Sequence, residues 1–165
     1  MTLHCPHCGL AARYAPANVF GESVICPACH QYFPWLDAAD RAQSPASATI
    51  LLAEDDDRQR LLAQRLLEGL GYRVIAAIDG HQALLLFGAH EHEIDLILTD
   101  MEMPIASGGE LYRAVRSLNE RVKFVLVSAS PTEEMRGVPF IQKPWTLAQL
   151  GQVLREALAA YRRQK

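Results

Sequence analysis

Four short apolar runs, each closed by a polar residue, set the tightest limit on what this chain can fold into. Thr49–Ala53 leads into Glu54 and Asp55, Asp95–Thr99 into Asp100, Val122–Val127 into Ser128, and Val138–Gln142 into Lys143. Near-continuous apolar runs of this length are what parallel strands buried on both faces look like. Tyr72–Ala77 adds a fifth strand candidate. Between the runs lie stretches of helical spacing. Residues 57–70 carry Leu61, Leu62, Leu66 and Leu67 and close on Gly69-Leu-Gly71. Ala83, Leu84 and Phe87 share a face after Gly80, and Leu111, Ala114, Val115 and Leu118 follow a Ser107-Gly-Gly-Glu110 opening. Thr146 caps a last helix with a stripe of Leu147, Leu150, Val153, Leu154, Ala157 and Leu158. Strands alternating with helices imply βαβ units, right-handed crossovers and an α/β fold around one parallel sheet.

Function follows from where the polar closers fall. In open α/β sheets the working crevice lies outside the carboxyl ends of the strands. Glu54, Asp55, Asp100, Ser128 and Lys143 all arrive at that edge. Carboxylates that converge with open positions suit Mg²⁺, which prefers oxygen ligands and keeps several waters. A cation there neutralises an incoming phosphoryl group and lets a carboxylate act as the nucleophile. Lys143 would place a point charge on the phosphoryl oxygens, and the Ser128 hydroxyl would donate to one of them. Asp56 and Asp57 read as capping or solvated residues, and Met101 and Met103 as packing residues.

These motifs carry a resemblance. Ile50-Leu-Leu-Ala-Glu-Asp-Asp56, Leu98-Thr-Asp-Met-Glu-Met-Pro104 with Gly108, Val125-Leu-Val-Ser-Ala129 and Phe140-Ile-Gln-Lys-Pro144 occur in the order found in receiver domains of two-component response regulators. The resemblance implies a flavodoxin-like, doubly wound five-stranded sheet of order 2-1-3-4-5. It implies that a histidine kinase or phosphotransfer protein phosphorylates Asp100. Mg²⁺ would be held by Asp55, Asp100 and the carbonyl of Glu102, with Glu54 acting through water. Ser128 would be the switch hydroxyl, Phe140 the switch aromatic, and Lys143–Pro144 a cis peptide. Such a protein is a phosphoacceptor, not an enzyme in the ordinary sense.

Two departures from the family bear on mechanism. Ser128 and Lys143 are only 15 positions apart. Ser130–Pro139 between them holds two prolines and a glycine, so the helix between the fourth and fifth strands of the sheet is expected to be missing or reduced to a turn. Glu102, two residues beyond Asp100, is expected to approach the phosphoryl group or a hydrolytic water.

All four cysteines lie before residue 30. Cys5-Pro-His-Cys8 and Cys26-Pro-Ala-Cys29 are two Cys-x-x-Cys knuckles separated by 17 residues, a spacing suited to a four-cysteine zinc site. Residues 1–36 resemble a zinc ribbon, with Gly9 after the first knuckle and Tyr32, Phe33 and Trp35 after the second. So small a unit needs such a staple to fold. The expected role of Zn²⁺ is structural; iron in the same geometry would instead make an electron carrier. His4, His7 and His30 are expected to flank the thiolates without ligating. Residues 37–48 are small, polar and aperiodic, a linker, which leaves 49–165 for the receiver-like domain.

The ribbon's 48-residue end of the chain carries Arg13 and Arg41 against Glu22, Asp37 and Asp40. It lacks the basic footprint of a nucleic-acid module, so an unknown downstream protein is the expected contact. Net charge is -3, and no apolar run approaches the roughly 20 residues that span a bilayer. Without a signal peptide the expected compartment is the cytoplasm, where paired cysteines favour metals over disulfides. Three rivals stand beside this reading. One is a pseudo-receiver scaffold that never carries phosphate, one a nucleic-acid regulator acting through the ribbon, and one a metal-dependent phosphatase of related acidic architecture.

Overall fold

The computed structural model describes residues 3–5, 7–12, 19–20, 23–34, 48–130 and 136–159. Its larger part is a five-stranded parallel sheet built from β6 (Thr49–Ala53), β7 (Arg73–Ala77), β8 (Leu96–Asp100), β9 (Lys123–Ser128) and β10 (Phe140–Gln142). The spatial order is β7-β6-β8-β9-β10, all neighbours parallel. Numbered within this unit, that is 2-1-3-4-5, the flavodoxin-like arrangement. Among the described residues four helices pack on it: α1 (Asp57–Gly69), α2 (Gly80–His90), α3 (Gly108–Leu118) and α4 (Leu147–Ala159).

Alternation along each strand divides the core into two layers. Ile50, Leu52, Leu98, Val125 and Val127 face α1 and α4, meeting Ala63, Leu67, Leu150 and Leu154. Leu51, Ala53, Ile97, Phe124 and Leu126 face α2 and α3, meeting Ala83, Phe87, Leu111 and Val115. Both faces of the central strands are dry, which is why their sequences read as unbroken apolar runs and not as alternating ones.

Strand ends differ from the expected ones by a residue or two. The last strand begins at Phe140, not Val138, because Pro139 has no N–H to give the ladder; its carbonyl still accepts from Leu126 N at 2.9 Å. Helix starts follow their caps. Asp56, not Asp57, caps α1 by accepting from the amides of Arg58 and Gln59. Ser107 and Glu110 form a reciprocal capping box on α3, and the Thr146 hydroxyl accepts from Gln149 N. Between β9 and β10, residues 129, 130 and 136–138 are bends and turns. The expectation of a helix reduced to a turn falls chiefly on residues 131–135, outside the described residues.

In the N-terminal part, β1 (Leu3–His4) pairs antiparallel with β2 (Ala11–Ala12). β3 (Val19–Phe20), β4 (Ser23–Ile25) and β5 (Tyr32–Pro34) form an antiparallel sheet in that order. The two knuckles close with the same hydrogen bonds. Gly9 N donates to Cys5 O and Cys5 N to Leu10 O, while His30 N donates to Cys26 O and Cys26 N to Gln31 O. Gly9 and His30 hold the same left-handed position, φ +74° and +56°. Glycine takes that conformation freely; the histidine does so less readily. The linker expected at 37–48 lies outside the described residues except for Ala48, and so does Trp35.

Candidate functional site

The acidic pocket is assembled by strand ends. Asp100 ends β8, is 5% exposed, and its Oδ1 accepts from the amide of Glu102 at 3.0 Å. Glu54 follows β6 and is equally enclosed, at 7% exposure. Asp55, next in the chain, is exposed, yet its carboxylate lies within 4.8 Å of those of Glu54 and Asp100. Lys143, one residue past β10, is fastened to β9 by its amide, which donates to Ser128 O at 2.8 Å. Its ammonium contacts Asp100 Oδ2 and lies 3.5 Å from Glu54 Oε2. One cation thus sits against two of three converging carboxylates.

The charges have the expected consequences. Burial pushes the Glu54 carboxyl above its ordinary range; Lys143 partly offsets this, while the Asp100 charge adds to it. For Lys143, burial works against the ammonium. The hydrogen bond and charge of Asp100, with help from Glu54, outweigh it and hold the lysine above its ordinary pKa.

Ser128 ends β9 and is buried. Its hydroxyl donates to Ser130 O at 2.8 Å and stands 3.4 Å from Glu102 Oε1, so it is turned toward its own loop. Phe140 stands at the start of β10, 39% exposed and level with Leu126 of β9. The Lys143–Pro144 peptide is cis. Met103 is buried and Met101 half-buried, both against the α2/α3 core layer.

Some residues that shape the pocket escaped sequence reading. The Arg60 guanidinium, one turn into α1, donates to the carbonyls of Glu54 and Asp55 at 2.9 and 3.4 Å and holds the acidic turn against the helix. Nothing in the local pattern singles it out from other helix arginines. Gly108 was noted only as part of a motif. A β-carbon on it would lie 2.3 Å from the Asp100 carbonyl oxygen. Gly80 is similarly closed, 2.5 Å from Ala106 O, and its amide donates to that oxygen. These two glycines let the loops after β7 and β8 close tightly around Asp100. Ile105 in the second loop is 83% exposed with φ +69°, an unusual conformation for a β-branched residue.

The second cluster is sulfur. The Sγ atoms of Cys5, Cys8, Cys26 and Cys29 all lie within 4.8 Å of one another, and the four are not joined by disulfides. Cys5–Cys29 and Cys8–Cys26 are both 3.6 Å apart. A tetrahedron of sulfurs about 2.3 Å from a zinc ion has edges of about 3.8 Å, so the donor set and its size suit Zn²⁺. Desolvation opposes ionisation of Cys26, but the amides of Cys29 and Ala28 and the neighbouring thiols bring it down to about 6. His7 and His30 are exposed and outside the cluster.

A doubly wound sheet of order 2-1-3-4-5 with carboxylates and one lysine gathered at its carboxyl edge defines a flavodoxin-like α/β domain with an acidic pocket. Comparison narrows it: residues 50–155 match the response regulator receiver domain family, and the chain belongs to that family. It is 34% identical over 119 residues to the sensor kinase CckA of Brucella abortus, a match covering 68% of this chain but 13% of that protein. The receiver domain of the hybrid histidine kinase CckA superposes with a TM-score of 0.58 at 33% identity, covering 67% of this chain and 99% of that one. The response regulator TrrA of Thermotoga maritima, solved in complex with Mg²⁺-BeF, gives 0.62 at 25% identity over 67% and 99%. The chain thus contains a receiver domain of two-component signalling, homologous to those of hybrid histidine kinases. Among the described residues no helix is long and apolar enough to cross a membrane.

Proposed function

We propose that this receiver accepts a phosphoryl group on Asp100 from a histidine kinase or phosphotransfer protein. The observation that carries the reading is the contact of Lys143 with Asp100 inside a set of three converging carboxylates. A carboxylate so placed is poised as a nucleophile, with its counter-charge already beside it. An Asp100 oxygen attacks phosphorus, the bond to the donor imidazole nitrogen breaks, and its electron pair leaves with the imidazole. The product is an acyl phosphate. Asp55, Asp100 and the carbonyl of Glu102 would hold Mg²⁺, with Glu54 acting through water, and the ion when bound would neutralise the phosphoryl charge. Lys143 then follows the charge from the carboxylate to the phosphoryl oxygens.

In this reading Ser128 has to leave Ser130 O to donate to the phosphoryl group, and Phe140 responds as the loop after β9 moves. Transfer of radiolabelled phosphate from an autophosphorylated histidine kinase to the wild-type chain, and not to Asp100→Asn, is the expected result. Label retained by Asp100→Asn would move the acceptor elsewhere.

Glu102 bears on how long the phosphate lasts. Its Oε1 is 3.4 Å from the Ser128 hydroxyl. Once Asp100 is phosphorylated, that carboxylate stands where it can orient or repel a hydrolytic water. Glu102→Ala is expected to change the half-life of the acyl phosphate by about 3- to 10-fold, the scale of 0.7 to 1.4 kcal/mol in a barrier. Equal decay rates in wild type and variant would remove Glu102 from the mechanism.

Residues 1–36 form, in the same reading, a zinc ribbon joined by a 37–48 linker to the receiver at 49–165, with Zn²⁺ held by Cys5, Cys8, Cys26 and Cys29 in a structural role. One zinc per chain by elemental analysis is expected, and Cys26→Ser should lower it well below one. Full occupancy by iron would replace the structural role with electron transfer.

A further inference from the structure

Among the described residues, the cysteine part approaches the receiver at helix α1. Strand β5 runs beside α1, with Cα atoms of the two within 8 Å at several positions. Where β5 lies is set by the second knuckle. Cys26 and Cys29 form the turn between β4 and β5, Cys26 N and Gln31 O close it, and Ile25 pairs with Tyr32 immediately beyond. β5 is the edge of its sheet, so among the described residues its second side has no strand partner. On α1, Ala63 and Leu67 fill the core while Leu61 and Leu62 keep 49% and 56% of their surface in water. At its other end α1 is tied to the acidic pocket, through the Asp56 cap and through Arg60 on the Glu54 and Asp55 carbonyls.

We propose that α1 is the docking surface for the four-cysteine module, with β5 as the contacting strand, and that metal binding by the cysteines sets whether the module sits there. The metal dependence rests on the zinc reading above. Four sulfurs lie within 4.8 Å with no disulfide between them, so without a cation no bond ties the second knuckle to the first and β5 loses that anchor. With the cation, β5 is presented as a preformed strand. The contact need not be strong. Fourteen residues join Pro34 to Thr49, and a tether that short gives an effective concentration on the order of millimolar, so even an interface with a millimolar Kd is substantially occupied. On the helix, the half-exposed Leu61 and Leu62 offer apolar surface for such a weak contact. A docked module would occupy the helix whose first turn borders the acceptor pocket.

The test is hydrogen exchange on the full chain, read by peptide mass spectrometry, with one equivalent of Zn²⁺ and after chelation under reducing conditions. Peptides covering 57–69 are expected to exchange at least about fivefold more slowly in the zinc form, the low end of coupling between linked sites. Peptides of α2 and α3, on the opposite face of the sheet, should not change. Protection confined to the knuckles, with 57–69 unaffected, would overturn the docking and leave the zinc reading intact. Failure of the chain to bind Zn²⁺ would overturn that reading and the metal dependence together. Docking by itself is then decided by a Leu61→Gln, Leu62→Gln variant, whose half-exposed sites leave the core untouched. Faster exchange at 23–34 in that variant supports docking, and unchanged exchange overturns it.

Discussion

Lys143→Ala is expected to destabilise the receiver by about 2 kcal/mol in the absence of divalent cations, and Mg²⁺ should restore more stability to the variant than it adds to the wild type. Removing one partner of a buried ion pair typically costs roughly 3–5 kcal/mol. The lysine side chain retains 23% exposure, so water softens the loss. What remains is Asp100 and Glu54 enclosed and facing each other with no counter-charge. A divalent ion between them is the natural replacement. Thermal denaturation with EDTA and with Mg²⁺ measures both halves, at about 2–4 °C per kcal/mol for a chain of this size. The pH dependence has a definite sign. Because the folded-state pKa of Lys143 is raised, the wild-type contact is fully present below the unfolded lysine value of about 10.4 and is lost only as pH rises through the higher folded one. In the variant, Glu54 loses the neighbour that lowers its raised pKa. Protonation then favours the folded state, so the variant regains stability on acidification. Equal melting of variant and wild type in EDTA would mean that the contact contributes nothing.

Gly108→Ala carries the other large effect. The added carbon would stand 2.3 Å from the Asp100 carbonyl oxygen, and the next closest atoms are also main chain. No side chain can turn aside, so the loop or the end of β8 must move. Overpacking of this kind costs about 1–3 kcal/mol. The atom displaced belongs to Asp100, the proposed acceptor, so phosphoryl uptake should fall with it, by about 100-fold for a misplacement near 1 Å. Gly88→Ala is the control: it lies inside α2 with nothing within 4 Å of the new carbon. It should be neutral or slightly stabilising, since alanine favours a helix over glycine. If both variants melt alike and take up phosphate alike, the close approach at Gly108 does not position Asp100.

Sequence reading reached the parts of this molecule that depend on pattern. Ile50–Ala53 and Leu96–Leu98 are apolar at every position because both faces of the sheet are covered, and that made them legible as parallel strands; their order followed from the family resemblance. Asp55, Asp100, Ser128 and Lys143 were legible because each directly follows such a run, so sheet topology alone brings them to one edge. The knuckles were legible from spacing. What pattern does not encode is contact between loops distant in sequence. Arg60 reaching the Glu54 carbonyl, Gly80 against Ala106 and the turned-away hydroxyl of Ser128 depend on where backbones happen to cross. The meeting of β5 with α1 is of the same kind.

The most direct test of the central claim is intact-protein mass after incubation with Mg²⁺ and acetyl phosphate, for wild type and Asp100→Asn. A single phosphoryl adduct on the wild type, absent from Asp100→Asn and from wild type in EDTA, is the predicted result. No adduct on the wild type, with no Mg²⁺ binding detected, would contradict it and make this chain a receiver fold that serves as a scaffold.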